Sequence, residues 1–171
     1  MAKPDDTHYR QPGFITRRVM NPAILLLTRA GVSVWGSRIL EVRGRQSGSP
    51  RRTPVNLLEF EGRQYLVSPR GEGQWVRNVR AANGRLTLLL GRSRDERVAH
   101  ELADSDKSAL LRAYLRRWKM EVGVFFDGVS ADSPEEEVQR IAPRHPVFLL
   151  SQGPADGADG KGATEPEPPG A

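Results

Sequence analysis

The residues between 44 and 55 hold the chain's densest concentration of ligand-binding groups: Gly44-Arg45-Gln46-Ser47-Gly48-Ser49-Pro50-Arg51-Arg52-Thr53-Pro54-Val55. Two glycines, two serines, a threonine and three arginines fall in what reads as a turn between two strands. Glycine admits backbone conformations that expose N–H groups, and successive exposed N–H groups form a concavity that binds anions. Arg45, Arg51 and Arg52 add charge and forked donors. This composition favours a phosphate or carboxylate site. The alternative is an ordinary Gly/Ser hairpin with solvated arginines. No Gly-Lys-Ser/Thr closes the stretch and no helix follows it, which excludes a Walker loop and a dinucleotide fingerprint.

A second stretch runs Ser68-Pro69-Arg70-Gly71-Glu72-Gly73-Gln74-Trp75-Val76-Arg77-Asn78-Val79-Arg80-Ala81-Ala82. It reads as a strand end, a Gly loop and a short helix whose first N–H groups again favour an anion. Trp75 and Asn78 stand three apart and share a helix face. A flat apolar wall beside a two-way hydrogen bonder is suited to the edge of a heterocyclic ring. On chemistry alone the plainer reading is preferred, in which Trp75 is a core residue and Asn78 satisfies a nearby loop.

The elements that position these residues are short. Asn21-Pro22 opens a helix expected to reach Trp35, packed on the core or, alternatively, against a membrane surface or a partner subunit. Strands are expected at 38–43, 53–60, 64–68, 85–90, 97–102 and 146–151. A turn is read at 44–50, a tight hairpin at Glu61-Gly62 and a loop at 91–96. Helices are expected at 74–82, stopped by Asn83-Gly84, at 105–119, and from Ser133-Pro134-Glu135-Glu136 with capping-box spacing. Leu111, Tyr114 and Trp118 share a helical face and read as core. Segment 121–130, rich in Gly and Phe, is a candidate lid. Closely spaced strands joined mainly by hairpins imply an α+β fold built on an antiparallel barrel, not a doubly wound sheet.

Composition narrows the function. The 171 residues suffice for one domain with a real core. Residues 152–171 hold no large apolar side chain and are read as a disordered acidic, Pro- and Gly-rich tail. Residues 1–20 are read as a flexible basic arm, leaving 21–151 as the domain. The tail carries −3 of a total of +5, so the other 151 residues carry +8. Lysine occurs only at 3, 107, 119 and 161, and the remaining basic residues are arginines. Arginine matches phosphate and carboxylate well, although a GC-rich coding bias explains the count equally. The absence of Cys excludes disulfides and thiolate chemistry and fits a reducing cytoplasm. His8, His100 and His145 are scattered, and no metal site is expected. A charge of +8 outside the tail raises a nucleic-acid module as a reading. Aromatic residues are few, however, and no such motif appears, so no nucleic-acid partner is expected.

The pattern Gly44-Arg45-x-Ser47-Gly48-x-x-Arg51-x-Thr53-Pro54-Val55, followed by Trp75-x-x-Asn78, resembles the deazaflavin (coenzyme F420)-dependent nitroreductase family. These are small split β-barrel oxidoreductases of actinobacteria, related in fold to FMN-binding split barrels. The resemblance covers about residues 20–151. It implies a coenzyme with a phosphate and a poly-glutamate tail, held at Arg45, Gln46, Ser47, Gly48 and Arg51. It also implies a coenzyme groove lined by Arg52, Thr53, Pro54, Val55 and Asn56, by Val67, Ser68, Pro69 and Arg70, and by Gln74, Trp75 and Asn78. Gln46 is neutral where relatives often carry Lys.

A reduced deazaflavin gives hydride, so the implied activity is reduction of a small organic acceptor: a quinone, an enone or a nitro compound. Ser68 is the internal candidate for proton donor or for a hydrogen bond to the ring. Nitroreducing members often have Tyr where Asn56 stands and a longer loop at 69–73. They also bring tyrosines over the substrate, where this chain offers Tyr114, Trp118, Met120, Phe125 and Phe126. Quinone or enone reduction is therefore the better expectation. The alternatives are an FMN-dependent barrel enzyme and a non-catalytic coenzyme or anion binder. The resemblance further implies a homodimer, and residues 1–35 offer a surface for peripheral membrane contact.

Overall fold

The computed structural model describes residues 36–153. The basic arm, the helix expected at 21–35 and the tail beyond Gly153 lie outside the described residues.

The described chain forms β1 (Ser37–Arg43), β2 (Pro50–Phe60), β3 (Arg63–Val67), α1 (Gln74–Ala81), β4 (Arg85–Leu90), β5 (Ser93–Glu101), α2 (Ser108–Val122), α3 (Glu135–Ile141) and β6 (Val147–Gln152). The strands close in the order β1-β2-β3-β6-β5-β4, and every neighbouring pair is antiparallel. This is the antiparallel barrel with flanking helices that the turn spacing implies. Turn residues account for the tight connections: Glu61-Gly62 in the β2–β3 hairpin and Asn83-Gly84 between α1 and β4 adopt positive φ at each position, which glycine permits freely.

The alternation of each strand builds two cores. Leu40, Val42, Leu57, Leu66, Leu86, Leu88 and Phe148 fill the barrel, and Val76 and Val79 of α1 pack against them. The opposite faces of β2 and β3 turn outward. Leu58, Tyr65 and Val67 there meet Leu111, Tyr114, Leu115 and Trp118 of α2 and Val138 and Ile141 of α3. The apolar face read at Leu111, Tyr114 and Trp118 is thus core, and all three side chains are buried.

Several expectations are corrected. β2 begins at Pro50, three residues before the expected start, because Pro50, Arg51 and Arg52 pair with Arg43, Val42 and Glu41. Proline is tolerated there, at the first position of the strand. β5 begins at Ser93, so its connection to β4 is a two-residue turn instead of the six-residue loop. The capping box does not form: α3 has Pro134 at its N-cap with no side-chain bond, and Ser133 Oγ instead accepts from the Ser130 N–H. The candidate lid is packed, with Phe125, Phe126 and Val129 buried in the outer core. α2 is interrupted at Trp118, whose backbone leaves the helical region.

Gly84 joins α1 to β4 at φ +79°, and a Cβ there would lie 2.3 Å from the Ala99 carbonyl oxygen. A Gly84→Ala variant must adopt a left-handed conformation and displace β5. Its expected cost is at least about 2 kcal/mol, measured as a drop in the denaturant midpoint. An unchanged midpoint would contradict this packing.

Candidate functional site

Arg45 joins the two motif stretches. The turn Gly44–Ser49 closes on itself, with the Gly44 N–H donating to Ser49 O at 2.9 Å and Gly48 N–H to Gly44 O at 2.8 Å. Gly48 takes φ +67°, which glycine permits freely. Thirty-three residues further along the chain, Asn78 is buried on α1. Its Oδ1 accepts from the Arg45 backbone N–H at 3.3 Å and from Arg45 Nη1 at 2.9 Å. Gln74 Oε1 accepts from the same Nη1 at 2.9 Å. The turn and the helix are therefore one structure.

This arrangement leaves donors for a ligand. Among the described residues, the exposed N–H groups of Gln46 and Ser47 have no acceptor. α1 starts after Gly73 with no side-chain cap and no acidic residue in its first turn, so its first N–H groups are open to an anion. Arg51 is exposed and has no carboxylate partner among the described residues. These groups fit a phosphate or a string of carboxylates.

The register of β2 divides the remaining motif residues. Arg51 and Thr53 lie opposite Val42 and Leu40, on the face that looks into the barrel, and Val55 packs on the inner core. Arg52, Pro54 and Asn56 lie on the outer face. Arg52 Nε donates to Glu41 Oε2 at 2.7 Å, and Arg94 holds the other carboxylate oxygen at the same distance. Glu41 is held below the usual carboxylate range by the Arg94 and then the Arg52 hydrogen bond. Asn56 hydrogen-bonds the buried Tyr114 phenol, whose burial raises its pKa against that bond. Arg51 and Arg52, adjacent in sequence, thus serve different environments.

The second stretch also divides. Trp75 is half-buried, with its ring 5.7 Å from that of Phe148, so it is largely an inner-core residue. Asn78 satisfies the turn, as the plainer reading of this pair held. Val67 is buried in the outer core. Pro69 and Arg70 are half-buried in the loop, and the Arg70 guanidinium lies 5.0 Å from the Phe125 ring centre. Ser68 is buried, and its hydroxyl donates to Gly71 O at 2.6 Å. That hydroxyl fastens the Gly loop that leads into α1 and does not reach the surface. Sequence reasoning did not place Glu41, the acid that pairs with Arg52 and Arg94. The signal was its position across the hairpin from Arg52.

Fold and family match together define a split-barrel oxidoreductase. The chain belongs to the F420H(2)-dependent quinone reductase family, whose model matches residues 29–130. Its coenzyme is accordingly F420H2. Among solved structures, it is similar to a domain-swapped dimer at 18% identity and TM-score 0.50, over 80% of this chain and 99% of that one. It is also similar to the protein Atu2129 of unknown function from Agrobacterium tumefaciens, at 14% identity and TM-score 0.50, over 86% and 58% of the two chains. An F420-H2 dependent reductase, FDR-A, matches at 17% identity and TM-score 0.48, over 68% and 94%. These likenesses are of fold. No curated protein matches the chain. Among the described residues no helix is long and apolar enough to cross a membrane.

Glu41 supplies a pH test of the outer wall. Its pKa is lowered on folding, so its stabilisation is complete above the ordinary carboxylate pKa and disappears as pH falls through the lowered value. Glu41→Gln is expected to cost up to about 1 kcal/mol for each arginine pair at pH 7. The difference from the parent chain should vanish below the usual carboxylate range. A difference that persists in acid would place the effect in packing instead of charge.

Proposed function

We propose that this chain reduces a small organic acceptor by hydride transfer from F420H2, with its motif residues holding the coenzyme along β2. The joining of the Gly44–Ser49 turn to α1 through Arg45 and Asn78 carries this reading, because it assembles the anion-binding donors on one rigid end of the barrel. The family description favours a quinone as the acceptor, with an enone or nitro compound as the further candidates. We take residues 21–151 as the coenzyme-binding domain.

When bound, the reduced coenzyme supplies a hydride, two electrons and a proton together. The chain's part is to hold and orient it. Arg45, Arg51, the Gln46 and Ser47 N–H groups and the first turn of α1, with Gly48 giving the turn its shape, would take the phosphate and acidic tail. β2 then leads away from the turn, and Arg51 to Asn56 spans roughly 17 Å. Pro54, Asn56 and the Glu41-paired Arg52 would border the flat ring system on the outer face, with Arg70 beside them. Thr53, Val55, Val67 and Trp75 support these walls from the cores.

The product needs one further proton. The Ser68 hydroxyl is committed to Gly71, and the Tyr114 phenol is buried and holds its proton more tightly than usual. Neither is placed as an acid, so the proton is assigned to solvent. The similarity to a domain-swapped dimer supports a homodimer, which light scattering would check.

Arg51→Ala is expected to weaken coenzyme binding by about 1.5–3 kcal/mol, the scale of a charged hydrogen bond. Arg52→Ala should weaken it far less, because that guanidinium is already paired with Glu41 on the outer face. Fluorescence titration of the two variants separates them, and equal losses would put the tail on the outer face. Ser68→Ala should lower the melting temperature while leaving kcat within about threefold, well short of the roughly 100-fold or greater loss expected on removing a general acid. A kcat loss of that larger size, in a folded variant, would restore Ser68 as the proton donor.

A further inference from the structure

Arg45 is held differently from the six arginines that the structure pairs with carboxylates. Arg52 and Arg94 share Glu41, Arg80 has Glu72 and Glu101, Arg97 has Asp95, Arg112 has Glu135 and Arg144 has Asp127, all at 2.6–3.0 Å. Each of those cations is paired with a carboxylate, Arg80 with two and Arg52 and Arg94 with one between them. The Arg45 guanidinium instead meets two neutral amide oxygens, Gln74 Oε1 and Asn78 Oδ1. The arrangement fixes the side chain and, among the described residues, sets no carboxylate against its charge, beside the open N–H groups of Gln46 and Ser47.

Asn78 is 5% exposed, while Arg45 is exposed. One oxygen of Asn78 takes both the backbone N–H and the guanidinium of Arg45, so it sets the turn and the cation together. An isosteric Asp would make the same contacts while adding a negative charge that cancels the cation. The choice of amide over acid is therefore an electrostatic choice, since preorganised charge in a site costs no rearrangement when the ligand arrives.

We propose that Asn78 is a positioning residue that acts on the coenzyme's anionic end through Arg45, rather than by contact with the coenzyme's ring. This rests on the coenzyme reading above and deepens it. The role also explains why a helix residue so deep in the fold belongs to a ligand motif.

The test is a double-mutant cycle on the full chain, with Arg45→Ala, Asn78→Ala and the pair, read as Kd for F420 by fluorescence titration. The expected result is that Asn78→Ala raises Kd about tenfold in the parent chain, the scale of a charged hydrogen bond, and less than twofold on the Arg45→Ala background. Asn78→Asp, which keeps the volume, should raise Kd at least as much and flatten its dependence on salt, because one cation no longer meets the ligand. The deazaflavin riboside without phosphate or tail should bind parent and Asn78 variants alike. Additive effects in the cycle, or equal losses for the riboside, would overturn the proposal by showing direct ring contact. If Asn78→Ala fails to fold, Asn78→Asp and its salt dependence decide alone, an unchanged affinity overturning it. Absence of F420 binding by the parent chain would instead sink the coenzyme reading itself.

Discussion

The rest of the site depends on the Arg45–Asn78 contact. A Gly- and Ser-rich turn at the tip of a hairpin has little side-chain packing to order it, and ordering it costs backbone entropy. Here a buried amide on a separate element holds the turn at both its backbone and its first arginine. The contact spans thirty-three residues and is made possible by barrel closure, which brings the β1–β2 end beneath α1. The helix in turn is placed by Val76 and Val79 in the inner core and by Ser68, whose hydroxyl ties down the loop before it. Core packing is thereby translated into the position of a few exposed N–H groups.

The two-residue alternation of β2 is the second constraint. It sends Arg51 toward the barrel mouth and Arg52 to the outer wall, where Glu41 and Arg94 form a closed charge group with it. A run of basic residues is thus sorted by geometry into one cation available to a ligand and one already satisfied. The outer wall then continues through Pro54 and Asn56 to the buried Tyr114, a progressively less charged path away from the turn. A molecule that is strongly anionic at one end and flat and uncharged at the other matches that gradient.

Much of this was legible in the sequence. Turn residues such as Glu61-Gly62 and Asn83-Gly84 mark breaks that only a few backbone conformations satisfy, so strand count and antiparallel order could be read. The face shared by Leu111, Tyr114 and Trp118 followed from helical spacing. The start of β2 was not legible, because Pro50 and two arginines resemble a loop until cross-strand pairing with β1 is known. The same holds for the Phe-rich segment after α2: Gly and Phe together suggest a mobile cover, whereas tertiary packing decides that Phe126 and Val129 are buried. At the site, the residue types pointed to an anion, but the partner of each arginine depends on contacts between distant segments. Which cation remains available to a ligand is a property of the fold.

The most direct test is a coenzyme titration followed by amide resonances of the folded chain. If the anionic end sits on the turn and helix start, the largest shifts on adding F420 fall at Gln46, Ser47, Gln74 and Trp75, with smaller ones along Arg52–Asn56. Saturable shifts confined to Arg52–Asn56 and α2, with Gln46 and Ser47 unmoved, would contradict the account.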